Sequence, residues 1–439
     1  MPDPLRCLTK RAGRSSAFEA HFVVLISAMI LLVIIISMSN VLTFLHNREV
    51  TSYKVESPLR ALRELLYAVL LLSFFLHIIS SKAQMRISTA AGLAWLGVCL
   101  YVCFELIYSA SIGLPALMLV SGVRFFEYIP LVYISYYVFK TFGENSYSLV
   151  ARSALVLLVF ESAVAAIETR LPIYVFGDKT FLGARAFGTF PSPDIFGPVM
   201  VALYILIAST MGRPWRAFAL LLTLFDAFAS GSRAGILGCL GVVAVLALGR
   251  LRSRVLKLFS YLVALAVSPL LLVLFTLPQF TGRATGVNGG GYERFQVWAN
   301  VLKQVKNGYD LLIGWGTGLG SNTAFAIFGS HGPHGMYISD NTLLFLLGSY
   351  GLLGVLACLF VICLLIWYLR SDPIGLATCL IFILELLVAQ VMELYPVNVL
   401  CMLLFGWRMA AQRPVRYNTT SPLRLSRSAS FAGELKCGR

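Results

Sequence analysis

Charge is what this sequence has least of. Only 13% of its 439 residues are Asp, Glu, Lys or Arg, where a soluble domain carries about a quarter. With 58% hydrophobic residues and a mean hydropathy of +0.82, that shortage excludes a soluble globular enzyme. Metal-ligating residues are also sparse: there are five histidines, and the nine cysteines include no pair with metal-ligand spacing. Most cysteines fall inside apolar runs, where they read as small packing residues, so no redox motif is present. Acidic residues are outnumbered 20 to 35, giving a net charge of +15. In so apolar a chain that excess is a topology signal and does not require nucleic acid. Neither an internal repeat nor a soluble domain can be discerned.

Apolar runs of about 18 to 25 residues fill the chain, each long enough to cross a hydrocarbon core of about 30 Å. The first, HFVVLISAMILLVIIISMSNVLTFL, is too long for a signal-peptide core and lacks a small-residue cleavage site, so it reads as a membrane anchor. Spans are expected near 21–45, 64–80, 87–110, 115–139, 148–167, 195–212, 216–231, 234–249, 257–276, 341–369, 373–391 and 396–411. The expected fold class is therefore all-α: a polytopic membrane bundle of about twelve helices over 21–411. A cytoplasmic N-terminus (1–20) precedes it and a basic cytoplasmic tail (412–439) follows. Placing both termini inside puts most of the 35 lysines and arginines on the cytoplasmic side, as the positive-inside rule requires. The tail reads as disordered, and either touches anionic lipid or is simply solvated.

Two long segments then fall on the outer, periplasmic side, near 168–194 and 277–340. The larger contains YERFQVWANVLKQV, whose Phe295, Trp298, Leu302 and Val305 recur at helical spacing, an amphipathic helix for the membrane surface or the bundle. GWGTGLG (Gly314–Gly320) follows. It has the glycine spacing of a dinucleotide fingerprint without the βαβ context, and is read as a turn-forming loop.

The polar residues of chemical interest lie on the same side. In ASGSRAGILG, Arg233 stands at the turn between two spans, flanked by Gly231 and Gly235. These glycines permit a tight turn and close backbone approach. Ser232 can cap the next helix, whose free N–H groups and positive dipole end favour an anion. An arginine there completes a site for phosphate or diphosphate; the plainer alternative is an arginine snorkelling at a span end. Arg185 in GARAFGTFPSP and Arg294 in GYERFQVW lie in similar settings, and several arginines without a metal site suit a polyanion. Arg124, within a span, has Glu127 three residues on, and a local ion pair is the simpler reading for it. His331, His334, Asp340 and Asn341 form the last cluster. A carboxylate or imidazole at a span entrance can act as general base, while Asp340 can equally cap the following helix. The His331–His334 pair is too loose a pattern for zinc, and neither a metal nor a cofactor is expected. Glu105, Glu161, Asp226, Glu385 and Glu393 fall within spans as well; structural pairing is the default for each.

In order, the chain carries R-x-x-G-T-F-x-x-P (Arg185, Gly188, Thr189, Phe190, Pro193), S-G-S-R-A-G, E-R-x-x-x-W and G-x-G-x-G. A polar residue with Asn then opens a span containing Tyr-Gly-Leu-Leu-Gly (Tyr350–Gly354). This succession resembles the bacterial O-antigen ligase and O-antigen polymerase superfamily of membrane glycosyltransferases, over roughly residues 120–370. The resemblance implies a periplasmic site on the inner membrane, undecaprenyl diphosphate-linked glycan as substrate, and a metal-independent, inverting transfer. It also implies that Arg185, Arg233 and Arg294 hold the donor diphosphate. Family ligases usually carry His-Asn or His-Ser where this chain has Asp340-Asn341, so their histidine base does not carry over. The residues in question are then Asp340, His331 and His334. The Asp-Asn pair is closer to the polymerase branch, making a repeat-unit polymerase for O-antigen or exopolysaccharide the expected function, with membrane lipid and a chain-length regulator as candidate partners. A ligase acting on lipid A-core is the nearest alternative, and oligosaccharide transfer to protein is another. A lipid-linked sugar flippase or transporter is the rival of another class, against which the clustering of arginines on outer loops counts.

Overall fold

The computed structural model describes residues 17–35, 57–81, 89–143, 146–170, 186, 188, 190, 193–249, 308–321, 341–389, 392 and 395–412. Among these there is no strand. In chain order the helices are α1 (Ala17–Ile35), α2 (Ser57–Ser81), α3 (Thr89–Ser111), α4 (Ala116–Arg124), α5 (Pro130–Phe142), α6 (Ser146–Arg170) and α7 (Pro193–Thr210). They continue with α8 (Arg213–Ser230), α9 (Arg233–Leu248), the short α10 (Gly308–Ile313), α11 (Thr342–Leu369), α12 (Pro373–Val388) and α13 (Val397–Ala411).

The distribution of apolar side chains is that of a protein dissolved in lipid. In α8 the exposed face carries Trp215, Phe218, Leu221, Phe225 and Phe228, at helical spacing, while Ala219, Thr223, Asp226, Ala227 and Ser230 are buried. A surface helix in water has the opposite arrangement. Exposed Leu62, Leu65, Val69, Leu72, Phe75 and Ile79 line α2, and Leu352, Leu356, Leu359, Phe360, Leu364 and Trp367 line α11. Apolar surface on that scale is stable only against hydrocarbon or another protein. α1, Ala61–Ser80 of α2, α6 and α11 are long and apolar enough to cross a membrane, and shorter apolar helices include most of α7, α9, α12 and α13.

The expected span at 115–139 is not one helix. The chain leaves α4 at Arg124 and enters α5 at Pro130, and between them runs through i→i+3 turns, with Phe125 N donating to Gly122 O and Glu127 N to Arg124 O. Pro130 has no N–H to continue an α-helical ladder and suits the first turn of a new helix. The expected span at 216–231 corresponds to α8, which carries Arg213, Arg216 and Asp226 and so has less hydrophobic length than its apolar run suggested. The span near 257–276, most of both long loops, the N-terminus and the basic tail lie outside the described residues.

At the centre stands α7, whose residues from Phe196 to Ile207 are almost all fully buried. It packs against α6, α8, α9, α12 and α13, as a helix apolar on every side must. A Cβ built on Gly238 of α9 would meet Ile381 Cδ1 and Leu384 Cδ1 of α12. Near the start of α6, Tyr147 stacks on Trp407, beside the Arg408–Asp372 pair that marks the start of α12. The other end of α6 reaches the α8–α9 turn through Glu168, Gly188, Ala186 and Ala229, so the start of α9 lies near the end of α12. There Ala389 O accepts from Thr342 N (3.1 Å) and Thr342 Oγ1 (2.8 Å), which brings the start of α11 to the same end. At the other end, Arg408 of α13 grips Asp372, the N-cap of α12, through Nε (2.5 Å) and Nη2 (2.9 Å).

Candidate active site

The turn between α8 and α9 is built from small residues. Ser230 Oγ donates to Ala227 O (2.8 Å) and accepts from Ser232 N (3.1 Å). Gly231 then takes a left-handed conformation, φ 59°, which costs a non-glycine residue about 1–2 kcal/mol. Ser232 is the N-cap of α9, its hydroxyl accepting from Gly235 N at 3.2 Å. Arg233 is the first residue of α9 and is half-buried. The guanidinium is thus carried on a capped helix N-terminus, where the helix dipole adds positive potential. Ser232 and Gly231 act as their types suggested. Gly235 does not: it faces α7, and a Cβ there would sit 2.8 Å from Gly197 Cα. Its small size serves the approach of two helices and not the approach of a ligand.

A second strand of backbone is fastened beside this turn. Ala186 N donates to Ala229 O (2.9 Å), and Gly188 N donates to Glu168 Oε2 (2.9 Å). A Cβ on Gly188 would meet Glu161 Oε2 at 2.5 Å, so Glu161 and Glu168 both face this glycine. The two are seven residues apart on α6, on one helix face. Below them Ser162 Oγ donates to Asp226 Oδ2 (2.6 Å). Glu161 and Asp226 look scattered in the sequence but converge beneath the G-T-F segment. The seven-residue spacing of Glu161 and Glu168 was the signal available for them.

At the start of α11 the expected cap shifts by one position. Asn341, and not Asp340, is the N-cap: it is extended (φ −147°, ψ 162°) and its Oδ1 accepts from Leu344 N at 2.8 Å. The capping role considered for Asp340 is taken by its neighbour. Through Thr342 and Ala389 this position is tied to α12, and through α12 to α9. Arg233 and Asn341 therefore stand at the same end of the bundle.

Arg124 is engaged by carboxylates. Its Nε reaches Glu127 Oε2 at 3.4 Å and its Nη2 reaches Glu64 Oε1 at 2.5 Å. The local pair expected with Glu127 is present, and the closer partner is on α2. Glu64 also pairs with Arg63, whose guanidinium lies 4.7 Å from the Tyr395 ring centroid. The hydroxyls of Tyr128 and Tyr67 reach Glu64 Oε2 (3.4 Å) and Glu127 O (2.6 Å). This network adjoins α11, because the Phe125 and Phe345 rings pack with centroids 5.0 Å apart, tilted by 30°.

GWGTGLG is a turn-forming segment, as read, but it is largely buried in the bundle. Trp315 N donates to Gly348 O (2.7 Å), Thr317 N to Ser109 Oγ (2.8 Å), and Ser349 Oγ to Leu319 O (2.8 Å). The α11 helix is interrupted at Gly351 (φ 60°, ψ −165°), directly beside Leu312 and Ile313. Tyr101 OH donates to Tyr350 O (2.6 Å) and Tyr350 OH to Gly122 O (3.2 Å). Tyr-Gly-Leu-Leu-Gly is thus a kink holding a backbone wedge. Among the described residues no group of His, Cys, Asp and Glu is placed to hold a metal ion.

Residues 218–359 match the O-antigen ligase family. The chain carries a domain of that family. The matched stretch begins in α8, contains the Arg233 turn, the wedge and the Asn341 cap, and ends within α11. It is shorter than the 120–370 expected, leaving out Arg124 and the Arg185 segment. No curated protein and no solved structure matches the chain. The match over 218–359 and the lipid-facing helices together support an integral membrane protein with a function of the O-antigen ligase or polymerase type. Of the residues expected to carry the chemistry, Arg233, Ser232, Gly231, Gly235, Asn341 and Arg124 are placed as described, while Arg185, Arg294, His331, His334 and Asp340 lie outside the described residues.

Proposed function

We propose that this protein polymerises undecaprenyl diphosphate-linked repeat units into a surface polysaccharide at the periplasmic face of the bacterial inner membrane, both termini being cytoplasmic. The observation that carries the reading is the α8–α9 turn, with Arg233 on a serine-capped helix N-terminus inside the family-matched stretch. Arg233, with Arg185 and Arg294 from the two flanking segments, binds the donor diphosphate. Arg185 immediately precedes Ala186, whose N–H is bonded to the α8 end of this turn, and that favours its inclusion.

In the reaction, a hydroxyl of the incoming repeat unit attacks the anomeric carbon of the donor chain and a new C–O bond forms, with inversion. The bond from that carbon to the diphosphate oxygen breaks, its electron pair leaving with undecaprenyl diphosphate. The hydroxyl proton passes to a base among Asp340, His334 and His331. The N-cap of α11 is Asn341, the residue that follows Asp340. The arginines act as fixed positive charge where negative charge grows, with neither metal nor cofactor taking part. Removing such a group typically costs about 10²–10³-fold in rate.

Arg233→Ala is expected to abolish glycan extension while membrane abundance stays normal; normal extension by R233A overturns the diphosphate role. A ligase transferring finished glycan to lipid A-core is the second reading, favoured by the family's own description. Lipopolysaccharide from a strain lacking the protein separates the two. A core capped with a single repeat unit and no ladder marks the polymerase, and a bare core with accumulating lipid-linked polymer marks the ligase. Loss of secreted polymer alone marks an exopolysaccharide polymerase. Length control by a partner protein is tested by its effect on the ladder, and an unchanged ladder on deleting candidate regulators removes it.

A further inference from the structure

The charged network around Arg124 is more elaborate than a structural ion pair requires. Arg124, Glu64 and Glu127 keep 33%, 32% and 21% of their side-chain surface exposed, so the network is not sealed in the core. Yet the Glu64 carboxylate and the Glu127 backbone are held by groups that are themselves buried. Tyr67 and Tyr128 are 3% and 2% exposed, and their hydroxyls reach Glu127 O and Glu64 Oε2; Arg63 is 8% exposed and holds Glu64 from the other side. Exposed polar heads on a buried frame are how binding sites are built. Ionisable residues in such a bundle mark function by default.

The chemistry of the exposed face identifies what it takes. Two carboxylates and one guanidinium are nearly balanced, so the face does not suit a second polyanion. Carboxylate oxygens accept from hydroxyls and a guanidinium donates to them, in fixed directions. A polyhydroxylated, uncharged ligand satisfies both. The position is also appropriate. Phe125, next to Arg124, packs against Phe345, four residues from the Asn341 cap, and the Arg233 turn lies at the same end by way of α12. From this juxtaposition the structure assigns Glu64, Arg124 and Glu127 as the subsite for the sugar of the acceptor, separate from the turn that takes the donor diphosphate. The assignment rests on the glycosyl-transfer reading above.

The test uses the full-length protein in detergent and the host's repeat-unit oligosaccharide freed of lipid and diphosphate. Titration should show saturable binding to the wild type. Glu64→Gln, which keeps side-chain size, and Arg124→Lys should each weaken it about tenfold or more, the usual loss when a hydrogen bond to a charged group goes. Arg370→Ala, at the opposite end of α11, should bind as the wild type does. No binding by the wild type overturns the subsite. So do unchanged affinities in Glu64→Gln and Arg124→Lys accompanied by lower melting midpoints, which is the result of a purely structural network. Failure of the donor reading shows elsewhere, as normal glycan extension by R233A, so the two failures are distinct.

Discussion

Two glycines three residues apart on α9 make opposite predictions from almost the same distance. A Cβ on Gly235 would lie 2.8 Å from Gly197 Cα, and a Cβ on Gly238 would lie 2.7 Å from Ile381 Cδ1. Both values are well inside contact, so something must move by nearly 1 Å. At Gly238 the obstacle is the tip of an isoleucine, which can rotate. At Gly235 it is the backbone of α7, a helix hemmed in by five others. In each case alanine improves helix propensity by about 1 kcal/mol. Against this, forced separation of α7 and α9 costs about 1–3 kcal/mol, while a rotamer change costs well under 1 kcal/mol. Gly235→Ala should therefore destabilise by up to about 2 kcal/mol and Gly238→Ala should be neutral or slightly stabilising. Followed by tryptophan fluorescence in detergent, the melting midpoint of Gly235→Ala should fall about 2–4 °C below that of Gly238→Ala. Glycan extension should fall with it, since the displaced α9 carries Ser232 and Arg233, and a displacement near 1 Å at a site can cost about 10²-fold. Equal midpoints for the two variants would refute the reasoning, because they would show that α7 yields as easily as a side chain.

Other expectations are shorter. Asn341→Ala should cost about 1 kcal/mol by removing the α11 cap, and Asn341→Ser should recover most of it, read as melting midpoints. Glu168→Ala leaves the Gly188 N–H unsatisfied and should destabilise by about 1–3 kcal/mol; Glu168→Gln, which can still accept, should be milder, and equal losses would deny that hydrogen bond a role. Asp372→Ala should be worse than Arg408→Ala, because each strands the other member of the pair and only the first also removes the α12 cap. Tyr350→Phe should lose about 1 kcal/mol with the bond to Gly122 O.

How much of this was legible beforehand depended on distance along the chain. The backbone of the α8–α9 turn and its Ser232 cap were readable from S-G-S-R-A-G, because capping and tight glycine turns follow local rules; the facing of Gly235 toward α7 was not. Asp340 and Asn341 have equal capping chemistry, and the choice between them is made by which residue the backbone leaves extended, something composition cannot express. The break between α4 and α5 was announced by Pro130 but hidden by the apolar run around it. Glu64 and Arg124 are sixty positions apart, and nothing in either neighbourhood points to the other. Glu161 and Asp226 appeared isolated for the same reason, although Glu168 lay seven residues from Glu161 with its face already implied.

The wedge at 308–321 has a consequence for biogenesis. Its hydrogen-bonding partners come from both directions: Ser109 far upstream, Gly348 and Ser349 downstream on α11. As the chain emerges, the wedge is made after α3 and α4 but before the helix whose kink receives it. It cannot settle until α11 has entered the bilayer and bent at Gly351. The last part of the matched family domain to be synthesised is thus the clasp that closes the earlier parts, and a ribosome that stops short of α11 leaves the wedge unfastened and α7 without the α12 and α13 that cover it.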